Sequence, residues 1–456
     1  MRKMLLSEIA ENVGGKLIGK DAEISSISTD TRKIEKGSLF VAVKGENFDG
    51  HNFCETAFEN GAVGIMVEKE VDCKASKILV DNTRLAQLRL AGYYRMKYNI
   101  PVAGVTGSVG KTSTKEMIYA VLSSEYKTLK TEGNFNNDIG VPKMVFQLDD
   151  SYEAAVFEMG MSDLGEISVL SKAIHPTISV ITNIGVSHIE NLKTRENILK
   201  AKLEILDGMN ATDPVAINID NDMLSKAEIT DRKVITFGIE NKSAEYKAKN
   251  IYKKNQKTFF EIVCKEGIFP VEIPTVGIHH VYNALSAFIV GINMGIENKK
   301  CADSLKKYIP SGMRQKIREE NGIIFIEDCY NASPDSQKAS IDALLNIDAK
   351  RYIAVLGDML ELGTISEESH YLIGEYVSNK KVDMLFTYGK EAKHIARGAK
   401  DNGMTDVYSF EEKEELSEKL LKTLETGDAI SFKASRGMKL EEVIKNIYKG
   451  MGIKDE

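Results

Sequence analysis

The sequence predicts an α/β protein with three domains, and three observations support this prediction. The chain has 456 residues. A chain of this length is too long for a single hydrophobic core and usually folds as several domains. Short apolar runs alternate with helical patterns over most of its length, as in parallel sheets wound with helices. A glycine-rich turn at residues 106–112 lies between an apolar run and a helical pattern, which predicts a P-loop ATPase-like fold for the central domain.

The N-terminal segment, residues 1–98, predicts a small domain of mixed α/β type. It begins with a short amphipathic pattern and continues with β-rich runs at residues 38–43 and 64–67.

The central segment, residues 99–311, predicts a parallel sheet. Apolar runs at residues 154–157, 177–182 and 214–219 alternate with helical patterns, as expected for strands that are joined by crossover helices. Residues 247–273 show alternating apolar residues with turn residues near Asn255 and Gly267, and we interpret them as a β-hairpin insertion.

The C-terminal segment, residues 312–456, predicts a Rossmann-like α/β domain that follows a break at residues 309–312. The predicted strands are residues 323–326, 352–356, 384–387 and 429–432. The predicted helices are residues 336–345, 391–400, 412–424 and 440–448. Because ligands bind beyond the carboxyl ends of parallel strands, we expect the site in the cleft between the second and third domains.

The composition excludes several classes of protein. Hydrophobic residues make up 43% of the chain and charged residues 28%, which is ordinary for a globular protein. The net charge of −7 argues against a nucleic-acid partner. The five cysteines contain no C-x-x-C pair and predict reduced thiols. Without a signal peptide or a run of transmembrane length, we expect a cytoplasmic protein with no membrane partner.

The turn at residues 106–112 predicts a nucleoside triphosphate site. Backbone N–H groups and a helix N-terminus would hold phosphate oxygens, Lys111 would reach the β- and γ-phosphates, and the Thr112 hydroxyl would bind Mg²⁺. Val105 stands where the general motif has its first glycine, so a glycine-rich turn with a surface lysine is the alternative. The residues of this predicted phosphate loop are Thr106, Gly107, Ser108, Val109, Gly110, Lys111, Thr112 and Ser113.

Polar residues follow several predicted strands. Glu158 ends the run at 154–157 and is either a Mg²⁺ ligand or a solvated glutamate. His188 follows the next strand, where a lone histidine is more often structural. Lys200 and Lys202 lie on one amphipathic helix, and composition alone indicates only a solvated face.

Two polar loops of the third domain, residues 326–336 and 357–363, also follow strands. Each alone is explained as the start of a capped helix, with Pro334 in the first turn and Asp335 favoured by the helix dipole. Several such loops at one sheet edge suggest a site.

Taken in order, these segments resemble the Mur ligase superfamily of ATP-dependent enzymes that form peptide bonds. The similarity spans nearly the whole chain and is greatest to the members that add D-alanyl-D-alanine. The segments that carry it are residues 28–32, 37–51, 106–112, 133–142, 158–161, 183–188, 201–205, His279 with Asn283, 328–336, 357–363 and 433–438.

The resemblance implies roles for the catalytic residues, which would be Lys111, Lys202, His188 and Arg314. Lys111 would contact the ATP phosphates, and Arg314 would reach them from the third domain. Thr112 and Glu158 would bind one Mg²⁺ and His188 a second. Lys202 would be the carbamylated lysine of the family, an extra carboxylate-like ligand, with Lys200 as the competing assignment.

The resemblance also implies three sets of binding residues. Asn283 and Asp328 would hold the adenine and the ribose. The UDP-sugar would be bound by Thr31, Arg32, Lys44, Asp49 and Gly50. The dipeptide would be bound by Asn331, Asp358, Ser435, Arg436 and Met438.

The implied activity joins D-alanyl-D-alanine to UDP-N-acetylmuramoyl-tripeptide through an acyl phosphate, with ATP and two Mg²⁺ ions. Its product would serve peptidoglycan synthesis, and with it cell shape and cell division. We expect a monomer with small-molecule substrates. A related ligase with another amine substrate is the first alternative. The second alternative is a protein that uses ATP as a conformational switch. Such a switch needs no second metal ligand and no UDP-sugar segment. The presence of Glu158, His188, Lys202 and the segment at 30–32 therefore argues against it.

Overall fold

The computed structural model describes residues 1–45 and 48–453, so Glu46 and Asn47 of the segment at 37–51 lie outside the described residues. These residues form helices and four sheets, of two, five, nine and six strands. The three larger sheets follow one another along the chain. The predicted α/β class is therefore confirmed.

The first large sheet belongs to the N-terminal segment and has the order β2-β7-β6-β5-β4. Among the described strands of this sheet, only β2 runs antiparallel to its neighbour. Helices and strands alternate along this segment, so its predicted mixed α/β type is confirmed. The elements are β1 (Met4–Leu5), α1 (Leu6–Val13), β2 (Lys16–Ile18), β3 (Glu23–Ile24), β4 (Ser26–Ser28), β5 (Ser38–Val41), α2 (Cys54–Glu59), β6 (Ala62–Val67), β7 (Ser76–Leu79) and α3 (Thr83–Arg95).

The central sheet has the order β16-β15-β14-β13-β12-β11-β8-β10-β9. Strands β8 and β10–β12 are fully buried, which explains why they were visible in the sequence as continuous apolar runs. The elements are β8 (Val102–Thr106), α4 (Lys111–Leu122), β9 (Thr128–Lys130), α5 (Gly140–Val145), β10 (Ala154–Glu158), α6 (Glu166–Ile174), β11 (Ile178–Ile181), α7 (Ile189–Leu192), α8 (Arg195–Leu203), β12 (Val215–Asn218), β13 (Val234–Gly238), β14 (Tyr246–Lys254), β15 (Lys257–Cys264), β16 (Gly267–Ile273), α9 (Ile278–Asn293) and α10 (Asn298–Ser304).

The antiparallel hairpin structure predicted at residues 247–273 is confirmed with its turns near Asn255 and Gly267, but its attachment to the central sheet was not predicted. Three antiparallel strands, β14 to β16, extend the central sheet, and β14 pairs with β13 in parallel. Their two turns lie at Asn255–Gln256 and directly before Gly267. Alternating apolar residues indicate that one face is buried, but they do not indicate which strand lies alongside.

The third large sheet has the order β17-β18-β22-β19-β20-β21, and only β17 is antiparallel. The four predicted strands are present, whereas β17, β21 and α12 were not predicted. The elements are β17 (Lys316–Glu320), β18 (Ile323–Glu327), α11 (Pro334–Leu344), β19 (Arg351–Gly357), α12 (Ser366–Asn379), β20 (Met384–Tyr388), α13 (Lys393–Asp401), β21 (Val407–Phe410), α14 (Lys413–Thr423), β22 (Asp428–Lys433) and α15 (Glu441–Gly450).

Helices α12 and α13 approach each other closely because a glycine lies on each. A Cβ atom at Gly374 would lie 1.9 Å from the Ile395 carbonyl oxygen, and one at Gly398 would lie 2.1 Å from that of Tyr371. A methyl group at either position would therefore push the helices apart.

The Gly374→Ala variant is expected to be less stable than the parent by about 3 kcal/mol, because overpacking a rigid helix contact costs energy of that order. Thermal unfolding measures this loss. Ser369→Ala on the same helix is the control and should stay within about 0.5 kcal/mol of the parent. An unchanged melting temperature for Gly374→Ala would contradict the packing.

Among the described residues, the structure has no helix with both the length and the apolar character needed to cross a bilayer.

Candidate active site

A cavity of about 720 Å³ lies where the central and third sheets face each other. Its wall is built from loops at the carboxyl ends of the strands, as the parallel sheets led us to expect. The central sheet contributes the loops after β8, β10, β11 and β12 and the start of α9. The third segment contributes residues before β17, the loop after β18 and Lys433.

The phosphate loop requires glycine at two positions. Gly107 has φ +149°, and a Cβ there would lie 1.9 Å from Thr182 Oγ1. Gly110, with φ +86°, precedes the first residue of α4. Both glycines shape a turn whose N–H groups and helix N-terminus suit an anion.

Lys111 folds back over this loop. Its Nζ donates a hydrogen bond to the Gly107 carbonyl at 2.8 Å. Enclosure lowers the pKa of Lys111, the Arg314 charge adds to this effect, and the nearby Glu158 carboxylate opposes it. A surface lysine on a plain turn, the alternative interpretation of this segment, is therefore excluded.

Glu158 is held in place at the end of β10 and is only 2% exposed. Its carboxylate accepts hydrogen bonds from Thr112 Oγ1 and Asn136 Nδ2, both at 2.8 Å. Its backbone N–H donates to Thr131 Oγ1 at 3.0 Å. Glu158 is therefore not a solvated glutamate, and it pairs with the hydroxyl that was predicted to share its metal ion.

The two lysines of α8 lie in different environments. Lys200 is exposed, whereas Lys202 is only 1% exposed. Burial lowers the pKa of Lys202 well below its usual value, and the nearby charge of Lys111 adds to the effect. A buried, neutral amine is the form that can take up CO₂, so the structure favours Lys202 over Lys200 as the candidate for carbamylation.

His188 joins the central and third segments. Its Nδ1 lies 2.6 Å from Glu361 Oε2, and the Glu190 N–H donates to the Glu361 carbonyl at 3.2 Å. The hydrogen bond from His188 lowers the pKa of Glu361. Because this contact uses Nδ1, any metal contact of His188 would fall to Nε2.

The part of the cavity formed by the start of α9 contains buried polar groups without partners in the described part of the chain. Asn283 Oδ1 accepts from Thr114 Oγ1 at 3.0 Å, while Asn283 Nδ2 and His280 Nδ1 have no hydrogen-bond partner in the described part of the chain. Buried polar atoms are rarely left unpaired. Such atoms fit a polar ligand, as the adenine assignment of Asn283 requires.

Arg314 and Tyr330 form the third-segment wall near the phosphate loop. The Arg314 guanidinium carbon lies 4.0 Å from the centre of the Tyr330 ring. Both residues line the cavity. The stacking fixes the position of a cation whose charge reaches Lys111.

Lys433 begins the segment at residues 433–438 that carries the family resemblance, but no role was predicted for it. It ends β22, is 4% exposed, and its Nζ lies 2.8 Å from Asp328 Oδ2. It also donates to the Asn331 carbonyl at 3.0 Å. One ammonium group thus fixes both the predicted ribose contact and the predicted dipeptide contact. In the sequence, its role was indicated only by a charge at the end of a buried apolar run, within the segment at 433–438.

The Lys433→Met variant is expected to lose about 3 kcal/mol of unfolding free energy, because it leaves the Asp328 carboxylate enclosed without its cation. Thermal unfolding tests this directly, with the exposed Lys445 on α15 changed to methionine as the control. Equal melting temperatures for the two variants would contradict the role of the buried ion pair.

The five predicted UDP-sugar residues lie in the N-terminal segment, apart from the cavity wall. Asp49 accepts hydrogen bonds from the His51 backbone and from Lys69 Nζ, both at 3.0 Å, and these bonds lower its pKa. Lys44 and Asp49 pair as an isolated β-bridge. Gly50 begins a short 3₁₀ turn, as Thr31 does in its own segment.

Arg32 forms an ion pair with Asp30 at 2.9 Å, and this contact lowers the pKa of Asp30. The Arg32 side chain is 87% exposed. The side chain is therefore accessible to a ligand, but it does not line the cavity described above.

Of the five predicted dipeptide residues, the described cavity wall contains only Asn331. Asp358 is buried and accepts hydrogen bonds from the backbone N–H groups of residues 391 and 392. Ser435 Oγ accepts from the Leu360 N–H at 2.9 Å, and Arg436 pairs with Glu441 at 2.7 Å. Met438 ends the short 3₁₀ turn that begins at Arg436. Asp358, Ser435 and Arg436 connect the loops behind the site.

The described residues contain no group of three or more His, Cys, Asp or Glu side chains arranged around a metal position. The hydroxyl of Thr112 and the carboxylate of Glu158 nevertheless fit Mg²⁺. This ion is usually held by one or two carboxylates together with phosphates and water.

Three stretches of the chain match domain models of one protein family. Residues 23–102 match the Mur ligase family catalytic domain, residues 105–291 the Mur ligase middle domain, and residues 313–436 the Mur ligase glutamate ligase domain. These matches follow the order of the three large sheets.

Full-length relatives give the same result. A UDP-N-acetylmuramoyl-tripeptide–D-alanyl-D-alanine ligase of Bacillus subtilis (strain 168) is 42% identical over 98% of this chain and 99% of its own length. The crystal structure of MurF from Acinetobacter baumannii superposes with a TM-score of 0.91 at 28% identity, covering 98% of this chain and 99% of that one. MurF ligase from Thermotoga maritima, in complex with ADP, has a TM-score of 0.85 at 29% identity, covering 94% and 98%.

Proposed function

The chain belongs to the Mur ligase family, and from this premise we propose that it joins D-alanyl-D-alanine to UDP-N-acetylmuramoyl-tripeptide at the expense of ATP. The products are the UDP-linked pentapeptide for peptidoglycan synthesis, ADP and phosphate. The observation that carries the proposal is the cavity in which the phosphate loop and Glu158 face Arg314 and Asn331.

The first half of the reaction activates the terminal carboxylate of the tripeptide, which does not react with an amine at neutral pH. The carboxylate attacks the γ-phosphate of ATP in line, which gives an acyl phosphate and ADP. Lys111 and the N–H groups of the phosphate loop stabilise the charge on the transferring group. Arg314, which is fixed on Tyr330, adds positive charge from the opposite wall.

Magnesium would be held by Thr112 and Glu158, with His188 and a carbamylated Lys202 at a second position. Bound there, it would supply further positive charge to the phosphates. Asn283 and Asp328 hold the adenine and the ribose. The N-terminal residues Thr31, Arg32, Lys44, Asp49 and Gly50 bind the UDP-sugar.

The second half forms the peptide bond. The amine of D-alanyl-D-alanine attacks the acyl carbon, and phosphate leaves. Asn331, which lines the cavity, would contact the dipeptide, while Asp358, Ser435 and Arg436 keep the loops of the third domain in place. Closure of these loops over the phosphate loop excludes water and protects the acyl phosphate.

The test is ADP release from ATP and Mg²⁺ with the UDP-linked tripeptide, in the presence and absence of D-alanyl-D-alanine. We expect release that needs both substrates and a pentapeptide product in the mass spectrum. Release that responds to a different amine would keep the mechanism and change the substrate. No response to the UDP-linked tripeptide would overturn the proposal and favour a nucleotide-dependent switch.

A further inference from the structure

The carboxylates that line the cavity differ in their partners. They are Glu158, Glu166, Asp220, Asp222, Asp328 and Asp335. Each of the first five bonds to a group of this chain, through Asn136, Ser162, Tyr282, Arg195 and Lys433 respectively. Among the described residues, Asp335 alone of these six accepts no hydrogen bond and forms no ion pair.

Asp335 lies beside the phosphate loop although it belongs to the third segment. It is in the first turn of α11. A Cβ atom at Gly185 would lie 2.5 Å from Asp335 Oδ2 and 3.4 Å from Ser108 Cβ, so only the absence of a side chain at Gly185 allows the carboxylate this position. The Gly185 N–H in turn donates to Ser108 Oγ at 2.9 Å.

The charges around Asp335 do not provide the missing partner. Partial desolvation by the cavity wall raises its pKa, and the carboxylate of Asp222 adds to the rise. Lys338 on its own helix and Arg195 on α8 oppose it, but Arg195 is already bound to Asp222. Asp335 is exposed at the cavity wall, so its carboxylate, which lies beside the phosphate loop and has no cation paired with it, is open to a cationic group that a ligand brings.

We propose that Asp335 binds the ammonium group of the incoming dipeptide and accepts its first proton. This inference rests on the proposed function. One N–H proton passes to the Asp335 carboxylate, and the freed lone pair forms the C–N bond to the acyl carbon. The C–O bond to phosphate breaks, its electron pair leaves on the phosphate, and a second N–H proton leaves with it. Asp335 then returns its proton to water.

Hydroxylamine separates the two halves of the reaction. It is uncharged at neutral pH and captures an acyl phosphate as a hydroxamate without needing a proton acceptor. The Asp335→Asn variant should therefore form pentapeptide about 100-fold more slowly than the parent, while hydroxamate formation from the UDP-linked tripeptide and ATP stays the same. The deficit should shrink as the pH rises past about 8, where the free amine accumulates.

Glu368→Gln is the matched control, because Glu368 is an exposed acidic residue in the first turn of another helix of the third domain. Both of its rates should equal those of the parent. An equal loss of both rates in Asp335→Asn, or no loss, would overturn the inference. A higher Mg²⁺ requirement for hydroxamate formation would also overturn it, since the cation would then be the metal. If the parent itself forms no hydroxamate, the proposed function fails together with this inference.

Discussion

Replacing Lys111 with alanine is expected to lower the rate of ligation about 1000-fold. The ammonium group lies over the phosphate loop, 2.8 Å from the Gly107 carbonyl, where the phosphates of ATP would take its hydrogen bonds. Without it, the charge that develops during phosphoryl transfer loses its nearest fixed cation. The measurement is ADP release under saturating substrates.

The fold should not suffer from this change. Enclosure lowers the pKa of Lys111, which means that its charged form is costly to bury, so alanine at this position should leave the free energy of unfolding unchanged or higher. Lys172→Ala, an exposed position on α6, is the control for charge removal. Near-normal ligation by Lys111→Ala would contradict the assignment of the phosphate loop.

Replacing Lys202 with alanine is expected to have a similarly large effect, a loss of about 1000-fold, if the lysine carries a carbamate that contributes to the metal site. The matched control is Lys200→Ala, two residues away on the same helix but exposed, which should retain normal ligation. Both changes remove one lysine from α8, so a difference in ligation rate between the two variants would show that the buried lysine, and not the exposed one, is needed.

Carbon-13 NMR after equilibration with labelled bicarbonate observes the modification without any catalysis. A carbamate signal should be present in the parent and in Lys200→Ala, and absent in Lys202→Ala. A signal that follows Lys200 instead would reverse the assignment. The absence of a carbamate signal in the parent would contradict the proposal that Lys202 is carbamylated.

The strongest sequence signals came from strands buried on both faces. Such strands have no solvent-facing positions, so β8, β10, β11 and β12 are continuous apolar runs that can be recognised directly. Strand β17 is an edge strand with the sequence Lys-Ile-Arg-Glu-Glu, and its charges conceal it. The parallel pairing of β14 with β13 also left no local signal.

The site was predicted in part for a similar reason. The carboxyl-end rule identified Glu158, His188 and the loop at residues 328–336 as neighbours, because it depends only on strand direction. The contacts of Lys433, Glu361 and Asp335 depend on how separate segments pack, which no local pattern encodes. Lys200 and Lys202 could not be distinguished until their exposures were known.

The position of the cavity has a thermodynamic consequence. The apolar residues on the two sides belong mostly to separate clusters, one set from the central sheet and its helices and another from the third sheet and its helices. A ligand that contacts both walls binds only while both are folded, so it stabilises both against unfolding. At a ligand concentration of 100 times the dissociation constant, this stabilisation is about 2.7 kcal/mol. Calorimetry should therefore show two unfolding transitions for the protein without ligands, and a single transition when it is saturated with nucleotide and peptide substrate.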